Sequence, residues 1–299
     1  MKLTKSMFKQ LWAVLMVFIT LNSKAQFRDY FDDGNISNNP QWRGDTAKFK
    51  IISGKLNSKT SVINDKFYIA TVSKRLENTQ WEFWVNLQFN TSSANYIEIF
   101  LTSDSANLSG KNSGYFLRIG NTSDNISLFR KNGLNSTLLI NGKTGVTNHT
   151  NNLFKIKVIC DSKRNLTLWH DSTGTGDQYL MEGSIRDTAL TNCNFFGIYI
   201  RQSTASFHNK HFFDDFYIGK IIRDTTAPVV TKVEMISPDT VHIHFSEPLS
   251  LASSGVLNFE IDKGIDNPQS ARFISADSSV IEIILKNKLT PNTGYILKN

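Results

Sequence analysis

Two phrases of the chain set adjacent carboxylates beside phenylalanine: Tyr30-Phe31-Asp32-Asp33-Gly34 and Phe212-Phe213-Asp214-Asp215-Phe216. If the two phrases open and close one β-sandwich, whose first and last strands often lie side by side, four carboxylates come together. Hard oxygen donors in that number suit Ca²⁺, so Asp32, Asp33, Asp214 and Asp215 are candidate calcium ligands. The alternative is that each pair caps a turn or faces water. Two histidines on one strand face, His242 and His244, could also grip a metal, but an exposed polar face explains them better.

A second set of residues suits recognition rather than coordination. Trp84, Asn86, Tyr96, Glu98, Arg118, Trp169, Tyr199 and Arg201 fall out of phase with the apolar rows of the strands that carry them. Aromatic rings beside amides, carboxylates and guanidinium groups match a sugar, which offers an apolar face and hydroxyl edges. A face packed on a neighbouring domain would read the same way, and a one-residue slip in phase would reverse every side chain.

Catalytic patterns are scarce. The Glu-x-Asp-x-x-Glu run that places a glycosidase nucleophile and acid on one strand face is absent; Glu260-Ile261-Asp262 lacks its second Glu. Glu82 and Glu98 could face each other across a hairpin, which is weak evidence for a glycoside hydrolase. There is no Gly-x-Ser-x-Gly, Gly174-Thr175-Gly176 lacks the setting of a phosphate loop, and His208 and His211 stand without a nucleophile pattern. The expectation is a binder and not an enzyme.

These residues need strands to position them. Trp81, Phe83, Val85, Leu87 and Phe89 recur at every second position, as do Ile97, Ile99 and Leu101. That period places them on one face of a strand. The polar segment Asn90–Asn95 between the two runs predicts an antiparallel hairpin at the centre of the fold. Further short apolar or alternating runs follow, separated by Asn, Gly, Ser, Asp and Thr. No long 3.6-residue period occurs, so the fold class is all-β. Asn132-Gly133 and Asn141-Gly142 read as turn dipeptides that tolerate positive φ.

The ends of the chain set its organisation. Lys2, Lys5 and Lys9, the apolar run Leu11–Leu21 and Ser23-Lys24-Ala25 form a secretory leader, with the mature chain starting at Gln26. The run is too short to span a bilayer. The chain of 299 residues carries 33 Lys and Arg against 26 Asp and Glu, a net charge of +7. Without the leader's four lysines the net charge is +3, and no concentrated basic stripe remains to hold nucleic acid. Cys160 and Cys193 read equally as a disulfide or as two buried thiols. Arg223-Asp-Thr-Thr-Ala-Pro228 is a linker, after which a second set of strands begins.

Several phrases carry a resemblance: Tyr30-Phe-Asp-Asp-Gly34 with Asn39-Pro-Gln-Trp-Arg-Gly-Asp-Thr46, Trp81-Glu-Phe-Trp-Val85 with Ser93-Ala-Asn-Tyr96, Ser113-Gly-Tyr-Phe-Leu-Arg-Ile-Gly120, and Phe213-Asp-Asp-Phe-Tyr217. Together they resemble a concanavalin A-like jelly-roll domain of large exported Bacteroidetes proteins, which often carry lamin-tail and immunoglobulin-like domains as well. The resemblance implies a jelly-roll over residues 26–222. Asp224-Thr-Thr-Ala-Pro228 and Val241-His-Ile-His-Phe-Ser-Glu-Pro248 resemble bacterial Ig-like modules of the S-layer-protein kind, here over 229–299 and expected to be truncated, with further surface modules downstream. No catalytic residue carries over. The implied function is that of a secreted or surface protein whose jelly-roll recognises carbohydrate or an extracellular matrix component. The alternative is a structural spacer or adhesion module within a larger surface protein.

Overall fold

The computed structural model describes residues 26–223, 225–275 and 277–298. The leader expected over residues 1–25 lies outside them. The chain divides into two compact units, the first ending at Ile222 and the second starting at Arg223.

In the first unit, strands β1 (Phe27–Asp29), β2 (Arg43–Gly44), β3 (Phe49–Ile52), β4 (Lys55–Ser58) and β5 (Asp65–Val72) precede the two central ones, β6 (Thr79–Leu87) and β7 (Tyr96–Ser103). Then come β8 (Asn112–Ile119), β9 (Ile126–Gly133), β10 (Asn135–Ile140), β11 (Asn152–Cys160), β12 (Asn165–Asp171), β13 (Leu180–Arg186), β14 (Phe195–Gln202) and β15 (His211–Gly219). They form an all-β jelly-roll sandwich of two antiparallel sheets. One runs β13-β12-β11-β6-β15-β4-β3 with β1 added against β15; the other runs β10-β9-β8-β7-β14-β5-β2.

The alternation of the sequence is the alternation of burial. Trp81, Phe83, Val85, Leu87, Ile97, Ile99 and Leu101 are all fully buried in one core, while Glu82, Trp84 and Asn86 point away from it. At its centre Phe216 meets Phe31, Trp42, Phe83 and Phe196 with ring centroids 5.3–5.9 Å apart. The phenylalanines Phe31, Phe213 and Phe216 of the two Phe-Asp-Asp phrases thus anchor the ends of the domain in its core.

The expected central hairpin is not formed. β6 pairs with β11 and β15, and β7 pairs with β8 and β14, so the two strands belong to opposite sheets. Their apolar rows are buried against each other across the interior instead of side by side. The segment between them is an anchored crossover: Thr91 Oγ1 lies 2.7 Å from both Thr147 Oγ1 and Asp124 Oδ1, and Asn95 Oδ1 accepts the Ser203 N–H. Glu82 and Glu98, which needed that hairpin to meet, lie on different sheets.

Other local expectations divide. The turn from β9 into β10 is made by Gly133, at φ 63°, and Leu134, while Asn132 pairs with Asn135 and has no positive φ. Gly142 has no positive φ; a Cβ there would sit 2.0 Å from the Ile126 carbonyl oxygen, so close backbone approach is what requires glycine. Cys160 and Cys193 form no disulfide, and burial pushes the Cys160 thiol up to about 11.

The second unit contains a four-stranded antiparallel sheet, β16-β17-β20-β19, from β16 (Val230–Ser237), β17 (Thr240–Phe245), β19 (Ser270–Phe273) and β20 (Val280–Ile284). A short pair, β18 (Glu260–Ile261) with β21 (Leu297–Lys298), shares its core of Val241, Ile243, Phe245, Ile281 and Ile283. His242 and His244 point away from that core toward Glu282 and Glu234, at 3.1 and 3.6 Å, so each has an acid partner.

Candidate functional site

The register of the second sheet lays out its outer face. One row reads Lys66, Arg201, Tyr96 across β5, β14 and β7, and the next reads Tyr68, Tyr199, Glu98, Arg118 on into β8. A third row reads Ala70, Gly197, Phe100, Phe116, Phe129. Five of the eight residues expected to bind ligand, Tyr96, Glu98, Arg118, Tyr199 and Arg201, therefore occupy adjoining positions on one face. The third row was not expected as part of it, although Phe100 shares its phase with Tyr96 and Glu98 and signals its place.

This face has a closed half and an open half. Over the third row, the segment between β7 and β8 folds back, and Leu108 covers Gly197: a Cβ on Gly197 would lie 2.7 Å from Leu108 Cδ1. Lys131 Nζ holds that segment through the carbonyls of Leu108 and Gly110. Phe100 and Phe116 are fully buried beneath it, stacked 5.2 Å apart. The first two rows stay open, with Tyr68, Tyr96, Tyr199, Arg118 and Arg201 half-buried and Lys66 exposed. Within them Arg118 donates from Nε and Nη2 to Glu98 Oε1 at 3.0 and 2.5 Å. Arg118 and Arg201 lie 4.9 and 5.6 Å from the Tyr96 ring centre. Burial pushes the Tyr199 phenol up to about 12, so it stays a neutral hydroxyl that can both donate and accept.

The other three expected residues stand on the outer face of the opposite sheet and do not join this set. Trp84 is covered by Lys55, whose Nζ is 4.6 Å from its ring centre and 2.5 Å from Asp214 Oδ2. Trp169 lies 5.5 Å from Lys157 Nζ, which sits 3.8 Å over the Tyr179 ring. Asn86 is opposite Leu153 and Phe212 on the same sheet as Trp84. Lysines of the chain itself thus occupy the rings that a sugar would need on that face.

The first and last strands do lie together, with Phe27, Arg28 and Asp29 opposite Ile218, Tyr217 and Phe216. Three of the four candidate calcium ligands have partners within the chain. Asp214 is engaged by Lys55, Asp215 by Lys155 at 2.7 Å, and Asp33 accepts the backbone and side-chain N–H of Asn35. Among the described residues no three His, Cys, Asp or Glu side chains gather as a metal would require. The acid that matters in this corner is Asp29, which no motif marked. It is buried, accepts from Trp42 Nε1 at 2.7 Å and Phe31 N at 3.0 Å, and burial raises its pKa to about 6.

No family model matches the chain, and no curated protein does. Solved structures of similar shape include the VIP36 exoplasmic/lumenal domain in a form holding Ca²⁺ and mannose: TM-score 0.48, 12% identity, 69% of this chain and 93% of that one. Others are a legume lectin-like domain from Entamoeba histolytica (0.46, 11%, 67% and 98%) and the carbohydrate binding module CBM66 from Bacillus subtilis (0.42, 10%, 58% and 92%).

Proposed function

We propose that the protein is exported and binds carbohydrate on the open half of the seven-stranded sheet's outer face. The observation that carries this reading is the register that puts Tyr68, Tyr199, Glu98 and Arg118 in one row with Tyr96 and Arg201 beside it. Tyrosine rings supply apolar platforms, and the Glu98–Arg118 couple and the tyrosine hydroxyls supply fixed donors and acceptors. Glu82 and Glu98, the acid pair considered for a hydrolase, stand on different sheets. Export rests on the sequence of residues 1–25; among the described residues, no helix is long and apolar enough to cross a membrane.

A spacer or adhesion module is the second reading, favoured by one observation: much of the face's aromatic surface is already covered by Leu108 and its segment. A glycan array probed with the mature chain distinguishes them. Retention of defined sugars by the wild type, lost in Tyr199→Ala and kept in Trp84→Ala, supports the lectin-like reading. Failure to retain any sugar sinks it and leaves the spacer.

A further inference from the structure

Lys66 and Arg201 sit directly opposite each other on β5 and β14, two like charges in one cross-strand pair. Such a pair is destabilising when nothing neutralises it. Five other cations of the sandwich have a counter-charge within the chain: Lys48 has Asp65, Lys55 has Asp214, Arg118 has Glu98, Arg130 has Asp187 and Lys155 has Asp215. Among the described residues, neither Lys66 nor Arg201 has an ion pair. Asp65, the neighbour of Lys66, is turned toward Lys48 and Thr60, and Glu98 is held by Arg118.

The two cations line a depression of about 270 Å³ together with Asn64, Ala94, Gln202 and Ser203. Gln202, next to Arg201 on β14, faces the interior and is fully buried, its Nε2 donating to the Val62 carbonyl. The depression thus offers uncompensated positive charge beside polar side chains, at the edge of the tyrosine rows.

We infer that the sugar bound here is anionic, its carboxylate or sulfate held by Arg201 and Lys66 and a neighbouring hydroxyl meeting the polar lining. The inference rests on the carbohydrate reading of the same face and specifies its ligand. A guanidinium presents two parallel N–H groups that match a carboxylate or sulfate edge, and Lys66 adds a point charge.

The test is calorimetric titration of the mature chain with three probes: a galacturonic acid trimer, its fully methyl-esterified form, and a 6-sulfated galactose trimer. At least one anionic trimer is expected to bind about tenfold or more tightly than the ester, the worth of one charge-assisted contact, with a preference that shrinks at high salt. Which of the two anionic trimers binds names the group. Arg201→Gln and Lys66→Gln should each reduce that preference, and Arg201→Lys should restore part of it. Lys66→Gln should also raise the melting temperature of the ligand-free protein, because it removes the like-charge opposition. Equal binding of ester and anionic forms, or an unchanged preference in both glutamine variants, overturns the inference while leaving carbohydrate binding intact. Binding of no sugar, charged or neutral, removes both.

Discussion

Arg118 reaches one oxygen of Glu98 with two of its nitrogens, at 3.0 and 2.5 Å, and lies 4.9 Å from the ring centres of both Tyr96 and Phe129. The Glu98 side chain is 10% exposed and that of Arg118 is 23%, so the pair is largely shielded from water. Removing one partner leaves the other's charge desolvated and unpaired. Glu98→Ala is expected to cost about 2 kcal/mol in denaturant unfolding, and Arg118→Ala at least as much, because it leaves the more buried Glu98 carboxylate unpaired and removes the side chain that lies against Tyr96 and Phe129. In a double-mutant cycle the two should couple by about 1 kcal/mol or more, and the coupling should survive salt better than an exposed pair would. Additive single effects would make the contact incidental.

Phe83 and Trp84 are neighbours on β6 that face opposite ways, one fully buried and one under Lys55. Phe83→Ala should cost about 3–5 kcal/mol, through lost burial and the cavity left behind. Trp84→Ala should cost clearly less and should leave sugar binding unchanged, since Trp84 and Arg201 belong to opposite sheets. Equal destabilisation would mean that the phase of β6 is wrong. Loss of binding in Trp84→Ala would move the ligand to the other face.

The same two residues show what the sequence could and could not reveal. Period-two alternation fixes which side of a strand is core, because burial acts on each strand by itself, and that reading holds for β6, β7, β8 and β14. It does not fix which strand is the neighbour. A polar segment such as Asn90–Asn95 is equally suited to a hairpin turn and to a crossing between sheets. What decides is where Thr91 and Asn95 find partners, at Thr147, Asp124 and Ser203, all distant in sequence. The eight expected ligand residues were accordingly found on outer faces but split between two of them. Lys66 was legible only after pairing placed it opposite Arg201. The aspartates show the same limit: the phenylalanines of their phrase pack in the core, while Lys55 and Lys155, which engage Asp214 and Asp215, lie far away in the chain.

Chelation should leave the domain unmoved. Asp214 and Asp215 are already countered by Lys55 and Lys155, so a cation would have to displace those lysines. The melting temperature in excess EDTA should match that in millimolar calcium. A rise with calcium, by the mass action of a ligand that binds only the folded state, would show a site these side chains do not reveal.

Asp29 gives the fold a pH dependence of defined sign. Burial holds its carboxyl near 6 in the folded chain, against an ordinary 3.8. Below the ordinary value both states carry the proton and the contribution is fully present. Between the two values the folded chain keeps a proton that the unfolded chain has released, so stability falls as pH rises, and above about 6 the contribution is gone. His211 acts in the opposite sense: burial pushes it down to about 3, so its contribution is lost as pH falls. The two are separated by comparing the wild type with Asp29→Asn at each pH. The variant cannot ionise there, although its single oxygen can serve only one of the Trp42 and Phe31 N–H groups. From pH 4 to pH 7 the stability difference should move in the variant's favour by up to about 3 kcal/mol, the equivalent of a shift of two units. A difference that stays constant across that range would place the Asp29 carboxyl at its ordinary value, and the two N–H donors would then offset its burial in full.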